Sequence, residues 1–277
     1  MDTDKPFPED QLQEYSPEQR ATVNPYHYAA NVIASRLFWD LHWKAWISRA
    51  RLRKYKNRYL GQKAIILCNG PSLNKVDFSL LEHAGIFTFG LNKINLLFEE
   101  TSFRPDCIVS MNPQVLDQNR AFLEQTRIPL FLNSSARRLV RFRKNVILLH
   151  FANVPRRFAR DCTLSMTQGH TVTYAALQLA FHMGFAQVAL TGADHSFAAK
   201  GVPNAFAIAG ETDLDHFHPD YFPAGVTWQL PDMRGIEAYY ELARDTYTRY
   251  SRQVYNCTEG GKLEIFERKL LKDYLAD

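Results

Sequence analysis

Lys63-Ala64-Ile65-Ile66-Leu67-Cys68-Asn69-Gly70-Pro71-Ser72-Leu73 reads as an apolar strand running into a tight turn and a helix start. Ala64 to Cys68 are five consecutive apolar residues without alternation, the pattern of a strand buried on both faces. Asn69-Gly70-Pro71-Ser72 then supplies turn chemistry: a Gly free to take positive φ, a Pro with preset φ, and a Ser able to cap a helix. A first strand ending this way is where doubly wound α/β folds hold nucleotide phosphates, on the amides of the following helix. The turn is not a Walker A loop, because no Gly-Lys-Ser/Thr follows, and not GxGxxG, because it has a single glycine.

Downstream, strand and helix patterns alternate. Residues 86–90, 106–110, 128–132, 146–150 and 188–191 read as strands, with a basic helix carrying Arg137, Arg138, Arg141 and Arg143 between the third and fourth of these. Residues 171–183 form a well-patterned helix, with Val172, Ala175, Ala176, Leu179 and Met183 on one face and Gly184 ending it. Residues 235–250 return to helix, 253–256 are a short strand, and 263–275 a charged C-terminal helix. This spacing predicts an α/β fold: a Rossmann-like, mostly parallel sheet with helices on both faces. Residues 198–231 interrupt it with Gly, Pro, Asp, His and aromatics, too long for an idle connection and suited to a lid. The expected organisation is an N-terminal tail and amphipathic basic helix over 1–60, then a nucleotide-binding catalytic domain over 61–277 with the lid loop at 198–231.

The first 24 residues are polar and proline-bearing and read as a loose tail or extended arm. Pro25 suits a first helical position, and 26–56 then reads as one long helix. Ile33, Leu37, Leu41 and Ala45 form its apolar stripe, with Trp39, Trp43 and Trp46 beside it and a basic run from Arg49 to Arg58 after it. Tryptophans next to a basic run suit a membrane-surface helix; the plainer reading is a helix docked on the core with a solvated basic end.

The 277 residues are enough to bury a full core, and the formal charge of +4 suits an anionic ligand or membrane surface without singling out nucleic acid. Cys68, Cys107, Cys162 and Cys257 are scattered without a CxxC pair, so free buried thiols in a reducing cytoplasm are expected. Met1-Asp2-Thr3-Asp4-Lys5 does not begin a signal peptide, and no run of 18 apolar residues occurs.

Small polar residues fall at the carboxyl ends of the strands: Asn69 with Gly70 and Ser72, Asn92, Asn112, the helix start Gly169-His170-Thr171, and Asp194. In a parallel sheet those ends share one rim, where ligands bind. A single such asparagine is ordinarily a turn former; three on neighbouring strands can donate to and accept from a base or ribose. Asp213-x-Asp215-His216-x-His218-x-Asp220 is dense in metal-ligand types, yet alternation in an extended segment would turn Asp215 away from the two histidines, and no metal site is assigned.

Asn69-Gly70-Pro71-Ser72-Leu73, Asn92 and Asn112-Pro113 resemble the nucleotide-site motifs of bacterial sialyltransferases of glycosyltransferase family 42. The helix at 171–184 with Val188-Ala189-Leu190-Thr191-Gly192-Ala193-Asp194 resembles that family's helix and its strand ending in Ser/Thr-Gly-x-Asp. The same signatures occur in the broader group formerly called domain of unknown function 115. That group includes 6-hydroxymethylpterin diphosphokinase-like proteins and flagellin-glycosylation motility accessory factors. The resemblance spans roughly 63–221, and His-Phe-x-Pro-x-Tyr-Phe and Gly-Gly-Lys-Leu-Glu are shared with members found beside surface-polysaccharide genes. It implies that Asn69, Gly70, Ser72, Asn92, Asn112, Gly169, His170, Thr171 and Tyr221 bind the nucleotide. It places Asp194 near the ribose or the transferring group, and a histidine of the late loop as the base that deprotonates an acceptor hydroxyl. His218 is the first choice, since Pro219 restrains it and Tyr221 could sit beside it, and His216 the second. Two departures bear on the donor: Ser196 stands where the sialyltransferases carry a tyrosine, and Gly169 and Thr171-Val172-Thr173 replace an arginine and Thr-Ser-Gly. Sialic acid itself is therefore not the expected sugar.

The resemblance thus implies a cytoplasmic glycosyltransferase that needs no metal or other cofactor. It would move a sugar from a nucleotide-activated, CMP-type donor to a hydroxyl of a surface glycan or lipid-linked acceptor. Partners would be donor and acceptor rather than nucleic acid, with peripheral contact of the N-terminal helix at the inner membrane face and a homo-oligomer left open. The rivals are an ATP- and Mg²⁺-dependent diphosphokinase, in which Asp194, Asp213 and Asp215 gain weight, and a non-catalytic nucleotide-binding scaffold.

Overall fold

The computed structural model describes residues 24–152, 156–197 and 201–276. The expected N-terminal arm therefore lies outside the described residues apart from Asn24, as do the first three positions of the expected lid. The first strand, β1 (Lys63–Leu67), is central. On one side follow β2 (Phe87–Leu91), β3 (Cys107–Ser110), β4 (Leu130–Asn133) and β5 (Val146–Leu149); on the other β6 (Gln187–Thr191), β9 (Gln253–Asn256) and β10 (Glu267–Arg268). All these neighbours pair in parallel. The chain thus winds outward from β1 to β5, then crosses back to place β6 against β1. That reversal is a topological switch point, which opens a crevice at the carboxyl ends of β1 and β6.

The uninterrupted apolar runs follow from burial on both faces. Ala64, Ile66, Phe89, Val109 and Phe131 pack on one side with helices α6 (Val172–Met183) and α7 (Met233–Arg249). Ile65, Leu67, Ile108, Leu130 and Leu132 pack on the other, beneath α3 (Phe78–Ala84), α4 (Pro113–Gln118), α5 (Arg120–Gln125) and α8 (Leu271–Ala276). Every residue of α6 from Thr173 to Met183 is buried, so it is a central helix enclosed on all sides. The four cysteines are buried and unpaired, as expected.

Three expected helices come out differently. The N-terminal helix breaks into α1 (Pro25–Leu41) and α2 (Trp43–Arg53) at His42, whose extended backbone lets its Nδ1 cap α2 by accepting from the Lys44 amide. The break lets α2 lie along the edge strand β5. There Ser48 Oγ accepts from the Leu148 amide, and Arg51 donates to the carbonyls of Arg143 and Val146, covering polar groups an open edge would expose. The basic segment after β4 is a single 3-10 turn (Ser134–Arg138), capped by Asn133. The charged C-terminal segment contributes the edge strand β10, and helix begins only at Leu271.

Phe185 links the core to the segment between α2 and β1. It stacks on Tyr59 at 5.0 Å between ring centroids and also meets Phe87 and Phe89. Phe185→Ala should lower unfolding free energy by about 3–5 kcal/mol, measured by urea denaturation, because that aromatic cluster cannot collapse into the space left.

Candidate functional site

At the switch point the turns after β1 and β6 approach so closely that only glycine fits on each side. A Cβ on Gly70 would fall 2.1 Å from Asp194 Oδ2, and one on Gly192 would fall 2.5 Å from the Cys68 carbonyl oxygen. Gly70 N donates to Gly192 O, and Ser72 donates to Asp194 Oδ2 through both its amide (3.1 Å) and its hydroxyl (2.7 Å). Lys262 N donates to the Asp194 carbonyl, and a Cβ on Gly261 would also collide with Asp194, so the Gly260-Gly261-Lys262 turn backs it from a third side.

These contacts change the reading of the first turn. Pro71–Lys75 is one 3-10 turn, and α3 begins only at Phe78 under an Asp77 cap. The amide a phosphate would use there is occupied by the Asp194 carboxylate, and Ser72 is buried away from the cleft. The helix that does present its N-terminus to the cleft is α6. Thr171 caps it by accepting from Thr173 N, and Thr171, Val172 and Thr173 line the cleft wall. Gly169 does not line it; its φ of +66° and its contact with the Tyr174 ring turn the chain into α6.

The cleft has a volume of about 500 Å³. Asn69, Gly70, Asn92, Asn112, His170, Thr171, Asp194, His216 and Tyr221 all reach it, whereas Ser72, Gly169 and His218 do not. The register pairing Leu67 with Gly90 sets Asn69 and Asn92 at the same level of the rim. Asn69 Oδ1 is buried and has no hydrogen-bond partner among the described residues. Asn92 takes positive φ (48°), accepts from Ser110 Oγ at 3.2 Å, and is hydrogen-bonded through its side chain to the Tyr221 hydroxyl. Asn112 Oδ1 caps α4, so its amide nitrogen is what it can offer a ligand. His170, His195 and Asn204 also line the cleft with positive φ, and strained backbone gathers at functional sites.

The late loop folds over the cleft around a small hairpin, β7 (Phe206–Ile208) with β8 (Thr227–Gln229). Phe217 ties it to the first turn: its amide donates to Asn69 O (2.9 Å), and its carbonyl accepts from Asn74 Nδ2 (2.7 Å). This anchorage sends the two histidines to different sides, with His216 at the cleft and His218 away from it. His218 turns outward, its Nδ1 accepting from the Asp220 amide in the turn that Pro219 begins. His216 faces the cleft, stacked on Tyr221 at 4.0 Å and 2° between planes, with Nδ1 2.8 Å from Asp213 Oδ2. Burial opposes ionisation of Asp213, but hydrogen bonds from His216 and from the amides of Asp215 and Phe222 hold its carboxyl below the usual range. Lys93, which sequence reading missed, lies buried behind this stack. It donates to the Tyr221 carbonyl (2.5 Å), and burial lowers its pKa to about 8 against the opposing pull of Asp213.

Asp213 and Asp194 are thus held by separate partners, and no group of three or more His, Cys, Asp or Glu side chains among the described residues is placed to hold a metal ion. No Lys or Arg is among the described residues that line the cleft, and the N-terminal amides of α6 face it.

The sequence profile of the 6-hydroxymethylpterin diphosphokinase MptE-like proteins matches residues 44–200, more than half of the chain. The chain belongs to the MptE-like family. The matched span holds β1 through β6 and every rim residue up to Asp194, while the loop carrying His216 lies beyond it. Among solved structures, the MAf glycosyltransferase from Magnetospirillum magneticum AMB-1 is similar with a TM-score of 0.51 and 15% identity, over 83% of this chain and 39% of that one. The likeness is one of fold, and this chain spans about two fifths of that protein's length. No curated protein matches the sequence.

Gly70→Ala, at ordinary φ but without room for a methyl group, should cost about 1–3 kcal/mol by denaturant titration. The depressed carboxyl of Asp213 stabilises the fold above its ordinary value of 3.8, and that contribution disappears as pH falls through the lower folded value. The stability difference between wild type and Asp213→Asn should therefore shrink as the pH is lowered from about 5 toward about 2, followed by thermal melts across that range.

Proposed function

We propose that this cleft binds a nucleotide-activated donor and that the protein transfers the activated group, a glycosyl residue, to an acceptor hydroxyl. The observation that carries the reading is His216, held by Asp213 through Nδ1 and presented to the cleft beside the α6 N-terminus. With Nδ1 committed to Asp213, Nε2 remains to take the hydroxyl proton. The acceptor oxygen then bonds to the anomeric carbon, the bond from that carbon to the phosphate oxygen breaks, and the nucleotide leaves with the electron pair. The α6 amides would offset the charge on the leaving phosphate. Asn69 Oδ1 would accept from a ribose hydroxyl or a base amine, with Asn92 and Asn112 beside it.

The charge balance favours a donor with one phosphate, such as a CMP-sugar, because a single helix N-terminus matches one anionic charge better than a triphosphate. The family description supports a second reading, transfer of a diphosphate from ATP to a small alcohol. There the same imidazole would deprotonate the alcohol and AMP would leave; Mg²⁺ would then arrive on the nucleotide's own phosphates. The proposed setting is the cytoplasmic face of the membrane, where lipid-linked glycan acceptors are built.

A thermal-shift panel of CMP, CDP, UDP and ATP, each with and without Mg²⁺, separates the readings. CMP at 100 times its Kd should add about 2.7 kcal/mol of stability without metal, whereas a response to ATP with Mg²⁺ alone would replace glycosyl transfer by diphosphoryl transfer. With the donor so identified, His216→Ala should lower kcat by about 10²–10⁴-fold while leaving the CMP shift in place, and His218→Ala should stay near wild type.

A further inference from the structure

Helices α1 and α2 use only part of their apolar surface to dock. Trp39, Ala45 and Leu52 are buried, whereas Ile33, Leu37, Leu41, Trp43, Trp46 and Ile47 stand in solvent, Leu41 at 78% and Trp46 at 60% exposure. Ile33, Leu37 and Leu41 recur every four residues along one stripe of α1, and Trp43, Trp46 and Ile47 share one face of α2. The break at His42 joins the end of the first stripe to the start of the second.

Cations surround these residues. From Pro25 to Arg53 the chain carries Arg36, Lys44, Arg49, Arg51 and Arg53 against the single acid Asp40, which is itself bonded to Arg36 and Arg49, while Arg51 is turned to the carbonyls at the β5 edge. The segment after β4 adds exposed Arg138 and Arg141, in a surface groove shared with Trp43 and Lys44. A two-fold pairing of this face with itself would set basic residues against basic residues. An anionic bilayer, with headgroups for the cations and acyl chains for the tryptophans and leucines, complements both features.

The placement agrees. Trp39 stacks on His150 at 5.9 Å, and Arg36 donates to Ser165 Oγ at 2.9 Å. His150 directly follows the carboxyl end of β5, so α1 sits on the rim of the sheet that also carries the cleft. Among the described residues no helix is long and apolar enough to cross a membrane. We propose that the exposed face of α1 and α2 is a docking surface for an anionic lipid bilayer, bound parallel to the interface. The assignment stands independently of the chemistry in the cleft.

The test is co-sedimentation of the full chain with phosphatidylcholine vesicles, with and without phosphatidylglycerol. The anionic vesicles should retain at least about tenfold more protein, and added salt should weaken retention. Leu37→Ser with Leu41→Ser, and separately Arg138→Glu with Arg141→Glu, should each cut retention by about tenfold, with unchanged melting temperatures. Tryptophan emission of the unmodified chain should shift to the blue on anionic vesicles and be quenched by brominated acyl chains. Equal binding to both vesicle types, variants that bind as before, or absence of the emission shift would overturn the assignment. So would a concentration-dependent dimer dispersed by the leucine substitutions, which would make a second copy the occupant.

Discussion

Asp194 is where the two halves of the sheet are joined. Its carboxylate takes both donors of Ser72, its backbone receives Lys262, and the glycines at 70 and 261 leave it room, while Gly192 makes room for the Cys68 carbonyl. A parallel sheet that reverses its winding leaves two adjacent strands whose following segments diverge, and something must seal the gap between them. Here the part-buried Asp194 carboxylate bridges it, and the turn after β1 becomes a wall of the cleft. The helix that points its N-terminus into the cleft is α6, which enters from the other side with Thr173 to Met183 buried behind it.

The late loop is positioned by the same device. Phe217 is tied through both its amide and its carbonyl to the first turn, so the residue before it is carried to the cleft and the residue after it away. Asp213, His216, Tyr221 and Lys93 then form one continuous assembly, in which a carboxylate orients the imidazole, an aromatic ring flattens against it, and a buried ammonium fastens the ring's own backbone. Each member restricts the rotamers of the next, which keeps the His216 imidazole in one orientation on a loop.

Much of the scaffold was legible in the residues. The five-residue apolar run of β1, the paired glycine and aspartate after β6, and the fully patterned α6 all announce a doubly wound parallel sheet, because burial on two faces leaves no room for polar alternation. Asn69, Asn92, Asn112 and Asp194 were readable as rim residues for the same reason: each follows a strand end, and parallel strands share their ends. Local pattern failed where a tertiary partner outweighed it. Nothing in 26–56 marks His42 as a break, since the gain comes from laying α2 along β5, about a hundred residues away. The 263–275 segment has helical composition, yet its first part is taken as an edge strand by β9.

The amino-acid sequence by itself determined the fold class, the alternation of the parallel strands from β1 to β6 with helices, and Asn69, Asn92, Asn112 and Asp194 as residues of the cleft rim, because those follow from hydrophobic period and turn chemistry over a few residues. Only the tertiary structure decided which groups are available there. Ser72 is withdrawn by Asp194, His218 by its own turn, and Lys93 is buried beneath Tyr221, while His216 is handed to the cleft by Phe217. These outcomes rest on hydrogen bonds between residues up to 148 positions apart, from Asn69 to Phe217, and no local pattern records which distant donor an acceptor will meet.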